Sequence, residues 1–345
     1  MKFVIMLAGV VSALVLMHRP GRIDEQKPQW WRWLVVASVT LTCILGIFPP
    51  LAGSITDVVV QHRADSTKTV PALVRINVAE GALIDARDTR VKVSFVASDD
   101  VRVRLNTIEP SADVIARLRR LASDRSFEIS ELVAIEPPLT MPYIVGLEER
   151  ARILFFHVPM SWCAVIAYCL AMIAAVRYLR TGQIGHDEMS AATASVGTLF
   201  TILATTTGAV WAKFNWGTFW NWDPRQTSIL LLLLIYAAYF LLRSSIDDEQ
   251  RRARLSGVYA IVAFATVPFL MFVLPRLLPG LHPGSADDSN IGPLLSPRSD
   301  AINPTKNAVF GLALFSFTMV FAWLVNLRVR YARVERHHAE LQEFV

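Results

Sequence analysis

Four of the nine tryptophans in this 345-residue chain lie within twelve residues, from Trp211 to Trp222. The densest part of this segment reads NWGTFWNWDP (215–224) and also contains Phe219. Tryptophan is enriched where a membrane meets water, because its ring is apolar while its N–H can stay hydrated. That preference explains a few tryptophans but not this density. We interpret the segment as a flat apolar surface for a large planar ligand.

The spacing of the tryptophans and of Asp223 predicts which of them act together. On a helix, Trp216, Trp220 and Asp223 would follow i, i+4, i+7 spacing and share one face, whereas Trp222 would project elsewhere. Asp223 also begins the sequence Asp-Pro-Arg-Gln, which is typical of a helix start with an acidic N-cap, a proline at the first position and Gln226 three residues after the cap. The segment is therefore predicted to be fixed to the start of the following helix.

Two of the seven histidines are predicted to lie at the same membrane level as the tryptophans. His157 lies in RILFFHVPMSW, roughly one and a half turns inside a predicted span. His282 follows another predicted span, in LLPGLHPGS. Each histidine alone would be a polar residue of the membrane interface. Together with the aromatic surface they favour a planar porphyrin whose iron is bound from two sides, since neutral imidazoles bind iron well and haem iron takes axial histidine.

Composition and hydropathy predict an all-α polytopic membrane protein. Hydrophobic residues make up 53% of the chain and the mean hydropathy is +0.41. Several apolar runs approach the roughly 20 residues that cross a bilayer as a helix. A weaker run at 3–17 favours one additional retained span, with a signal sequence as the alternative. The six core spans are predicted at about 33–53, 153–176, 191–211, 227–242, 256–275 and 308–327.

The arginines of the short loops predict the orientation of these spans. Residues 18–32, 177–190 and 243–255 are rich in arginine, as is the tail, and the positive-inside rule assigns them to the cytoplasmic side. The net charge of +5 therefore indicates membrane topology rather than nucleic-acid binding. The predicted divisions are an N-terminal segment with the first core span (1–53), an outer insert (54–150), a membrane core (151–330) and a cytoplasmic tail (331–345).

The insert at 54–150 interrupts the membrane pattern and is predicted to form a small α+β domain. TRVKVSFV and VRVRLN alternate apolar and polar residues, which predicts a β-hairpin that turns at 98–100. SADVIARLRRLAS has helical spacing with Ser111 as a cap, and SFEISELVAI is predicted to be a further strand. The insert contains His62 but no recognisable site. We interpret it as a spacer or as a docking module for a partner, outside the ligand pocket.

The tryptophan segment and its flanking histidines carry a family resemblance. WAKFNWGTFWNWDPRQTS resembles the WWD motif of the CcmC/CcsA cytochrome c assembly family. RILFFHVPMSW and PRLLPGLHP are similar to the histidine segments on either side of that motif, and the similarity covers about 145–330. Within the family, six core spans with one outer histidine on each side of the motif are most similar to the haem exporter C members of the system I pathway.

The resemblance implies a haem-delivery protein of the bacterial inner membrane rather than an enzyme. The implied partners are a haem chaperone and the ABC transporter subunits of the maturation complex, with a subunit that handles apocytochrome c as a further candidate. Arg225 and Arg276 are predicted to contact the haem propionates, with membrane anchoring as the alternative. The implied site holds haem b at the outer face with His157 and His282 as iron ligands, against Trp216, Trp220, Trp222 and Asp223.

Two alternatives stay open at this point. A system II cytochrome c synthetase subunit shares the motif, and Asp-Pro in place of Asp-Ala slightly favours it, but it should have more spans and histidines within the membrane. A structural membrane subunit without haem would use its tryptophans only as an interfacial belt. No P-loop, Ser/His/Asp order or paired intramembrane carboxylate is recognisable in the sequence. There is no C-x-x-C, which argues against thioredoxin-like redox chemistry and covalent haem attachment to this chain.

Overall fold

The computed structural model describes residues 2–18, 24–47, 52–61, 69–86, 90–110, 112–121, 126–137, 149–282, 284–286 and 304–343. The chain divides into two compact units. The helical unit is drawn from Met1–Ile44, Ile153–Ser299 and Asn307–Val345. The other unit is drawn from Leu45–Arg152 and Asp300–Lys306, and it contains the strands.

Helices make up most of the described chain. They are α1 (Lys2–His18), α2 (Gln29–Ile47), α3 (Ile55–Gln61), α4 (Asp99–Leu105), α5 (His157–Thr181), α6 (Ile184–Trp216), α7 (Pro224–Ser244), α8 (Glu249–Pro268), α9 (Leu274–Leu277) and α10 (Pro304–Glu343). A 3₁₀ helix at Glu149–Phe155 precedes α5, and a π-helix at Phe269–Val273 joins α8 to α9. The strands are β1 (Val70–Asn77), β2 (Ala82–Asp85), β3 (Lys92–Ala97), β4 (Asp113–Arg120) and β5 (Ser126–Ile135).

Six helical stretches of the described chain are long and apolar enough to cross a membrane. They overlap the six predicted core spans, although the first begins before the predicted 33–53 and its described helix ends at Ile47, and the short span predicted at 227–242 extends at both ends. α1 is a shorter apolar helix at the position of the predicted additional span. The predicted all-α polytopic fold is therefore confirmed. The six stretches are Gln29–Ile47, Arg152–Thr181, Ile184–Trp216, Pro224–Ser244, Glu249–Leu277 and Lys306–His338.

Small residues allow α5 and α6 to pack closely. Ala164 and Ala167 of α5 are buried, and a Cβ at Gly197 of α6 would lie 2.8 Å from the Cβ of Ala167. Tyr168 is buried beside this contact, and its hydroxyl lies 3.0 Å from that of Thr201 on α6. The hydrogen bond satisfies both hydroxyls in an apolar environment, where an unpaired polar group would be costly. The short distance between α5 and α6 therefore depends on the small side chain of Ala167 and the missing side chain of Gly197.

A buried ion pair joins α6 to α7. The Arg243 guanidinium donates to both carboxylate oxygens of Asp187, at 2.7 and 2.8 Å, and it also lies 5.8 Å from the centre of the Tyr239 ring. Asp187 is buried, so its charge is tolerated only because both of its oxygens are engaged. The pair fixes the rotation of α7 relative to α6, which matters because α7 begins at the tryptophan segment.

α1 packs as an integral part of the helical unit. A Cβ at Gly9 would lie 2.6 Å from the carbonyl oxygen of Gly311 on α10, so the two backbones approach closely. At the other end of α1, the Trp31 ring N–H donates to the Leu16 carbonyl at 2.9 Å and the Lys27 ammonium donates to the Met17 carbonyl at 2.8 Å. This packing supports the interpretation of 3–17 as a helix of the folded protein.

The strands of the second unit form a closed barrel in the order β1-β2-β3-β5-β4. β3 and β5 run parallel, and the other neighbouring pairs are antiparallel. Apolar side chains at alternating positions fill the interior, among them Val74 and Ile76 of β1 and Phe127 and Ile129 of β5. With α4 between β3 and β4, this is the topology of an OB-fold.

One local prediction in this unit is wrong for VRVRLN, which is not a strand. The segment Asp99–Leu105 is the helix α4, which buries Val101 and Leu105 one turn apart and leaves Val103 exposed. Two aspartates in its first turn and two arginines in its last turn match the helix dipole. Alternation over four positions did not distinguish a strand from a helix that presents one face to the barrel.

A second local prediction is wrong for SADVIARLRRLAS, which is not a helix. Asp113–Arg120 is β4, a strand that pairs with both β1 and β5. Ala116 and Leu118 are buried at alternate positions, and Arg117 and Arg119 between and after them form ion pairs with glutamates of β5. Pairing along both edges outweighed the helical spacing of the apolar residues.

The other predictions for the insert have different outcomes. The strands predicted at TRVKVSFV and SFEISELVAI are confirmed as β3 and β5. Ser111, the predicted helix cap, and His62 lie outside the described residues. The predicted α+β character of the insert is confirmed, while its assignment as a separate functional division stays a prediction.

We expect Gly9→Ala to destabilise the helical unit, because α1 and α10 would have to separate to accommodate the new methyl group. Overpacking of this kind costs roughly 1–3 kcal/mol. The measurement is thermal unfolding of the purified protein in detergent, followed by tryptophan fluorescence. Gly185→Ala is the matched control, since nothing lies within 4 Å of its Cβ and alanine favours a helix by up to about 1 kcal/mol. Equal unfolding midpoints for the two variants would contradict the close contact.

Candidate functional site

His157 begins α5 and is held against α6. Its Nδ1 donates to the backbone carbonyl of Ala204 at 2.8 Å and lies 3.3 Å from the hydroxyl of Thr207. A carbonyl oxygen only accepts, so the proton is on Nδ1 and the lone pair is on Nε2. This arrangement fixes both the tautomer and the direction of the ring, as is usual for histidines that bind a metal.

Gly208 of α6 makes room for the His157 ring. A Cβ at this position would lie 2.9 Å from Cε1 and 3.2 Å from Nδ1 of His157. The imidazole therefore rests directly on the α6 backbone, four residues beyond the carbonyl to which it donates. Gly208 was not predicted from the sequence, because a glycine within an apolar run carries no signal of its own until the facing side chain is known.

His282 is held by Asp223 in a corresponding way. Its Nδ1 donates to one carboxylate oxygen of Asp223 at 2.7 Å, so in the neutral imidazole the lone pair is on Nε2. The same oxygen accepts the backbone N–H of Arg225 at 2.9 Å, and the other oxygen accepts the backbone N–H of Leu281 at 2.7 Å. The predicted N-cap at Asp223 is therefore confirmed, and the same side chain also orients His282.

The surroundings of Asp223 favour its ionised form. Burial of the carboxyl would raise its pKa, but the interaction with His282 and the N–H groups of Arg225 and Leu281 outweigh burial and lower the pKa of Asp223 to about 2. The carboxylate is therefore charged at physiological pH, although only 4% of Asp223 is exposed. A charged acceptor makes the hydrogen bond from His282 stronger than one to a neutral group.

The loop that carries His282 is folded tightly around this contact. A Cβ at Gly280 would lie 2.8 Å from a carboxylate oxygen of Asp223 and 3.0 Å from the ring of Pro224, so only glycine fits. The Ser285 hydroxyl donates to the carbonyls of Gly280 and His282, both at 2.8 Å. Gly280 and Ser285 were not predicted, since their roles depend on how the loop returns to Asp223.

Two tryptophans at the end of α6 surround the His282 ring. The ring centres of Trp216 and His282 are 4.7 Å apart with an interplanar angle of 74°, and those of Trp211 and His282 are 6.2 Å apart at 31°. Trp211 and Trp216 meet edge to face at 5.2 Å. Trp211 was not among the predicted site residues, although it lies in the tryptophan-rich segment. Of the predicted tryptophans, Trp216 is the one whose ring contacts His282.

Trp220 and Trp222 form a separate pair. Their ring centres are 5.8 Å apart and nearly perpendicular, and Trp222 is 70% exposed. Trp222 has a positive φ of 56°, which is uncommon for a residue with a side chain. The structure therefore places the tryptophan segment in two groups, one beside His282 and one directed to the surface.

The predicted helical face through Trp216, Trp220 and Asp223 is wrong. α6 ends at Trp216, and Gly217 adopts a left-handed conformation with φ 84° that terminates the helix. The chain between the two helices is instead tied down by Gln226, whose side chain accepts the backbone N–H of Asn221 at 2.8 Å. Gly217, within the tryptophan-rich segment, ends the helix, and this local effect outweighed the helical spacing of the aromatic residues.

Arg225 lies near His157, and Arg276 lies near Arg225. Arg225 lies within electrostatic range of His157 and also of Arg276. His157 and His282 lie within electrostatic range of each other. The Arg276 guanidinium also donates to the carbonyl of Phe272 in its own helical turn. The structure thus gathers both predicted histidines and both predicted arginines into one region of the helical unit.

These features define a class: a multi-pass helical membrane protein in which two oriented histidines from distant parts of the chain meet beside tryptophans. The family model for heme exporter protein C matches residues 139–343, more than half of the chain. The chain belongs to the heme exporter protein C family.

Individual relatives agree with this family. Heme exporter protein C of Bradyrhizobium diazoefficiens is 33% identical over 121 residues, which cover 35% of this chain and 46% of that protein. Heme exporter protein C of Rhodobacter capsulatus is 29% identical over 189 residues, which cover 55% of this chain and 75% of that protein. A putative cytochrome c biosynthesis ccmC-like mitochondrial protein of Marchantia polymorpha is 40% identical over 82 residues, 24% of this chain and 36% of that protein. The matched segments thus span less than half of two of these relatives.

We expect acid to release the His282 loop from α7. Because the pKa of Asp223 is lowered from 3.8 to about 2, its carboxylate stabilises the fold above about pH 4, and that contribution is lost as the pH falls towards 2. The full contribution is about 2 kcal/mol. The measurement is the fluorescence of Trp211 and Trp216 beside His282, recorded in detergent during acid titration.

Asp223→Asn should remove this acid transition and weaken the loop above about pH 4, where the wild-type carboxylate is charged. Asp248→Asn is the matched control, because Asp248 caps α8 by accepting the backbone N–H of Arg251 at 2.6 Å. An acid transition that persists unchanged in Asp223→Asn would show that another group anchors the loop.

Proposed function

We propose that this protein binds haem at the outer face of the bacterial inner membrane and passes it on for cytochrome c maturation. The observation that carries the proposal is the pair of histidines whose Nδ1 atoms are both engaged, so that both Nε2 atoms have lone pairs for a metal. The names of the relatives connect them with haem export and cytochrome c biosynthesis. Membership of the family favours this function over that of a system II synthetase.

The residues of the site fit a haem group. Haem would supply a planar macrocycle and an iron that takes axial imidazoles. His157 and His282 would be the axial ligands. The Ala204 carbonyl and the Asp223 carboxylate accept hydrogen bonds from their Nδ1 atoms, as carbonyl and carboxylate groups commonly do for histidines that bind a metal. Asp223 is thus a positioning residue, and an Asp223 contact with haem itself is not needed for it to act.

The tryptophans would contribute apolar surface to the same site. Trp216, beside His282, would contact the macrocycle, and aromatic contact adds roughly 0.5–1.5 kcal/mol per ring beyond the buried area. Trp220 and Trp222 form the surface-directed pair and would cover the side of the ligand nearest to solvent. Such a cover would limit water at the iron while leaving an exit towards a partner.

Arg225 and Arg276 would bind the haem propionates. Two guanidinium groups lie within electrostatic range of each other, a repulsive arrangement that an anionic ligand would relieve. Arginine can hold a carboxylate through two hydrogen bonds. These residues would therefore orient the ligand by holding its carboxylates.

The proposed role is delivery and not catalysis. The chain would bind and orient haem b in the core at 151–330 and hand it to a haem chaperone, in a complex with ABC transporter subunits. The arginine-rich short loops support an orientation in which the histidines and the barrel face outwards. The barrel at 54–150 would dock a partner that handles the chaperone or apocytochrome c.

The ligands are tested by replacing each histidine. His157→Ala and His282→Ala should each convert six-coordinate iron towards five-coordinate, and the double variant should lose most of its haem. The measurement is the visible and Soret absorption of the purified protein with its haem content. His186→Ala is the control, since His186 lies at the opposite end of α6. Wild-type spectra in both single variants would refute the proposed ligation.

Gly208→Ala tests whether His157 needs its position on α6. The added methyl group would displace the imidazole, so we expect a partial shift towards five-coordinate iron with His157 still present. The measurement is the low-spin fraction in electron paramagnetic resonance spectra, together with the unfolding midpoint of the haem-free protein. Gly257→Ala is the matched control, because its Cβ would make only ordinary contacts, at 3.5 Å from Leu179. The assignment fails if Gly208→Ala and Gly257→Ala give identical spectra.

A further inference from the structure

α10 is much longer than a membrane crossing requires. It has 40 residues, which corresponds to about 60 Å of helix, whereas the hydrocarbon core of a bilayer is roughly 30 Å thick. The apolar run ends near Leu327, and the remaining part to Glu343 is rich in charged residues. This part of the helix, which we term the α10 extension (327–343), therefore projects beyond the membrane on the arginine-rich side.

One face of the α10 extension is bound to the chain itself. Val329 is buried, and Arg333 forms an ion pair with Asp24. Arg336 forms another with Glu188 at 3.0 Å. These contacts tie the extension to the segment before α2 and to the start of α6. They fix the rotation of the helix, so the face that points away from the chain is determined.

The opposite face carries a stripe of four apolar or aromatic residues and one histidine with heptad spacing. Leu327, Tyr331, Val334 and Leu341 are 45%, 56%, 57% and 51% exposed, and His338 is exposed between the last two. The steps between these five positions are four, three, four and three residues, the spacing of a and d positions in a coiled coil. A helix surface that faces lipid needs only apolar residues and does not require alternating steps of four and three. We term these residues the heptad stripe.

The charges that flank the heptad stripe complement a second copy of the same helix. With Val334 at a d position, Arg330 is at g and Glu335 is at the e position of the next heptad. In a parallel coiled coil, a g residue faces the e residue five positions later on the other helix. Arg330 of one copy would therefore face Glu335 of the other, and the pair occurs twice by symmetry.

We propose that the heptad stripe is a dimerisation surface that joins two copies of this chain through a short parallel coiled coil. Two copies inserted in one membrane have the same orientation, so their α10 extensions are parallel without further constraint. Two heptads form a weak coiled coil in solution, but attachment to neighbouring membrane domains raises the effective concentration of the helices. The dimer would pair two haem sites in one assembly, although the proposal does not depend on haem binding.

A cysteine cross-link tests the position of the contact. Val334→Cys at a d position should form a disulfide-linked dimer of twice the 38.5 kDa chain mass under mild oxidation in proteoliposomes. Ser245→Cys is the control, because Ser245 is exposed in an arginine-rich segment assigned to the same membrane side. The wild-type chain, whose three cysteines lie in α2 and α5, gives the background. Equal cross-linking at both positions would reflect random collision and would overturn the proposal.

Charge exchange tests the identity of the partner. Arg330→Glu and Glu335→Arg should each weaken dimerisation by roughly threefold to tenfold, since each places two like-charged pairs across the interface. The double variant should restore it, because the exchanged charges again match between identical copies. The measurement is the dimer fraction of the full chain in detergent by mass photometry over a range of concentrations.

Three further outcomes would overturn the proposal. One is a chain that stays monomeric at all concentrations and fails to cross-link through Val334→Cys. Another is a double charge variant no better than the single ones, which would indicate a partner of different sequence. The third is cross-linking that occurs only after other membrane proteins are added, which would assign the stripe to a heterologous helix.

Discussion

The three hydrogen bonds to the Asp223 carboxylate are the constraint on which the site depends. One side chain begins α7, anchors the return of the loop at Leu281 and orients the ring of His282. Each role alone is common, but their combination means that the position of His282 is set by the helix start and not by the loop. Within the loop, Gly280 lets the backbone come close enough to the carboxylate, and the Ser285 hydroxyl holds the turn together.

The ring of His157 is also held in a fixed orientation, but by a backbone group and close helix packing. Its acceptor is a backbone carbonyl of α6, and its place is made by the absence of a side chain at Gly208. The close packing of α5 on α6 at Gly197 brings the two helices near enough for this contact. His282 is thus positioned by a charged group at a helix start, and His157 by tight helix packing. A change in pH or salt would therefore affect the position of His282 more than that of His157.

The sequence predicted those features that depend on residues close together in the chain. The six spans follow from the length and hydropathy of apolar runs, and the N-cap follows from Asp-Pro-Arg-Gln. The hydrogen-bond partners of the cap, Leu281 and His282, could not be predicted, because they lie almost sixty residues away in the chain. The roles of Gly208 and Gly280 could not be predicted either, because a glycine has no side chain whose type would indicate a contact. The helical interpretation of the tryptophans failed at Gly217, a local signal that the aromatic spacing obscured. In the barrel, α4 and β4 were assigned wrongly because their apolar patterns are short and the decisive pairing of β4 with β1 is between distant segments.

The closed barrel also has a consequence for biosynthesis. All of its strands come from one uninterrupted stretch, and β5 completes the ring only after it pairs with β3 and β4. A partly translocated chain would therefore expose open sheet edges, which are prone to aggregate, until the whole stretch has emerged. Once complete, the ring leaves no edge open. In the orientation proposed above, the segment between α2 and α5 would pass through a vulnerable stage during translocation, and chaperones that bind unpaired strands would act at this stage and not after it.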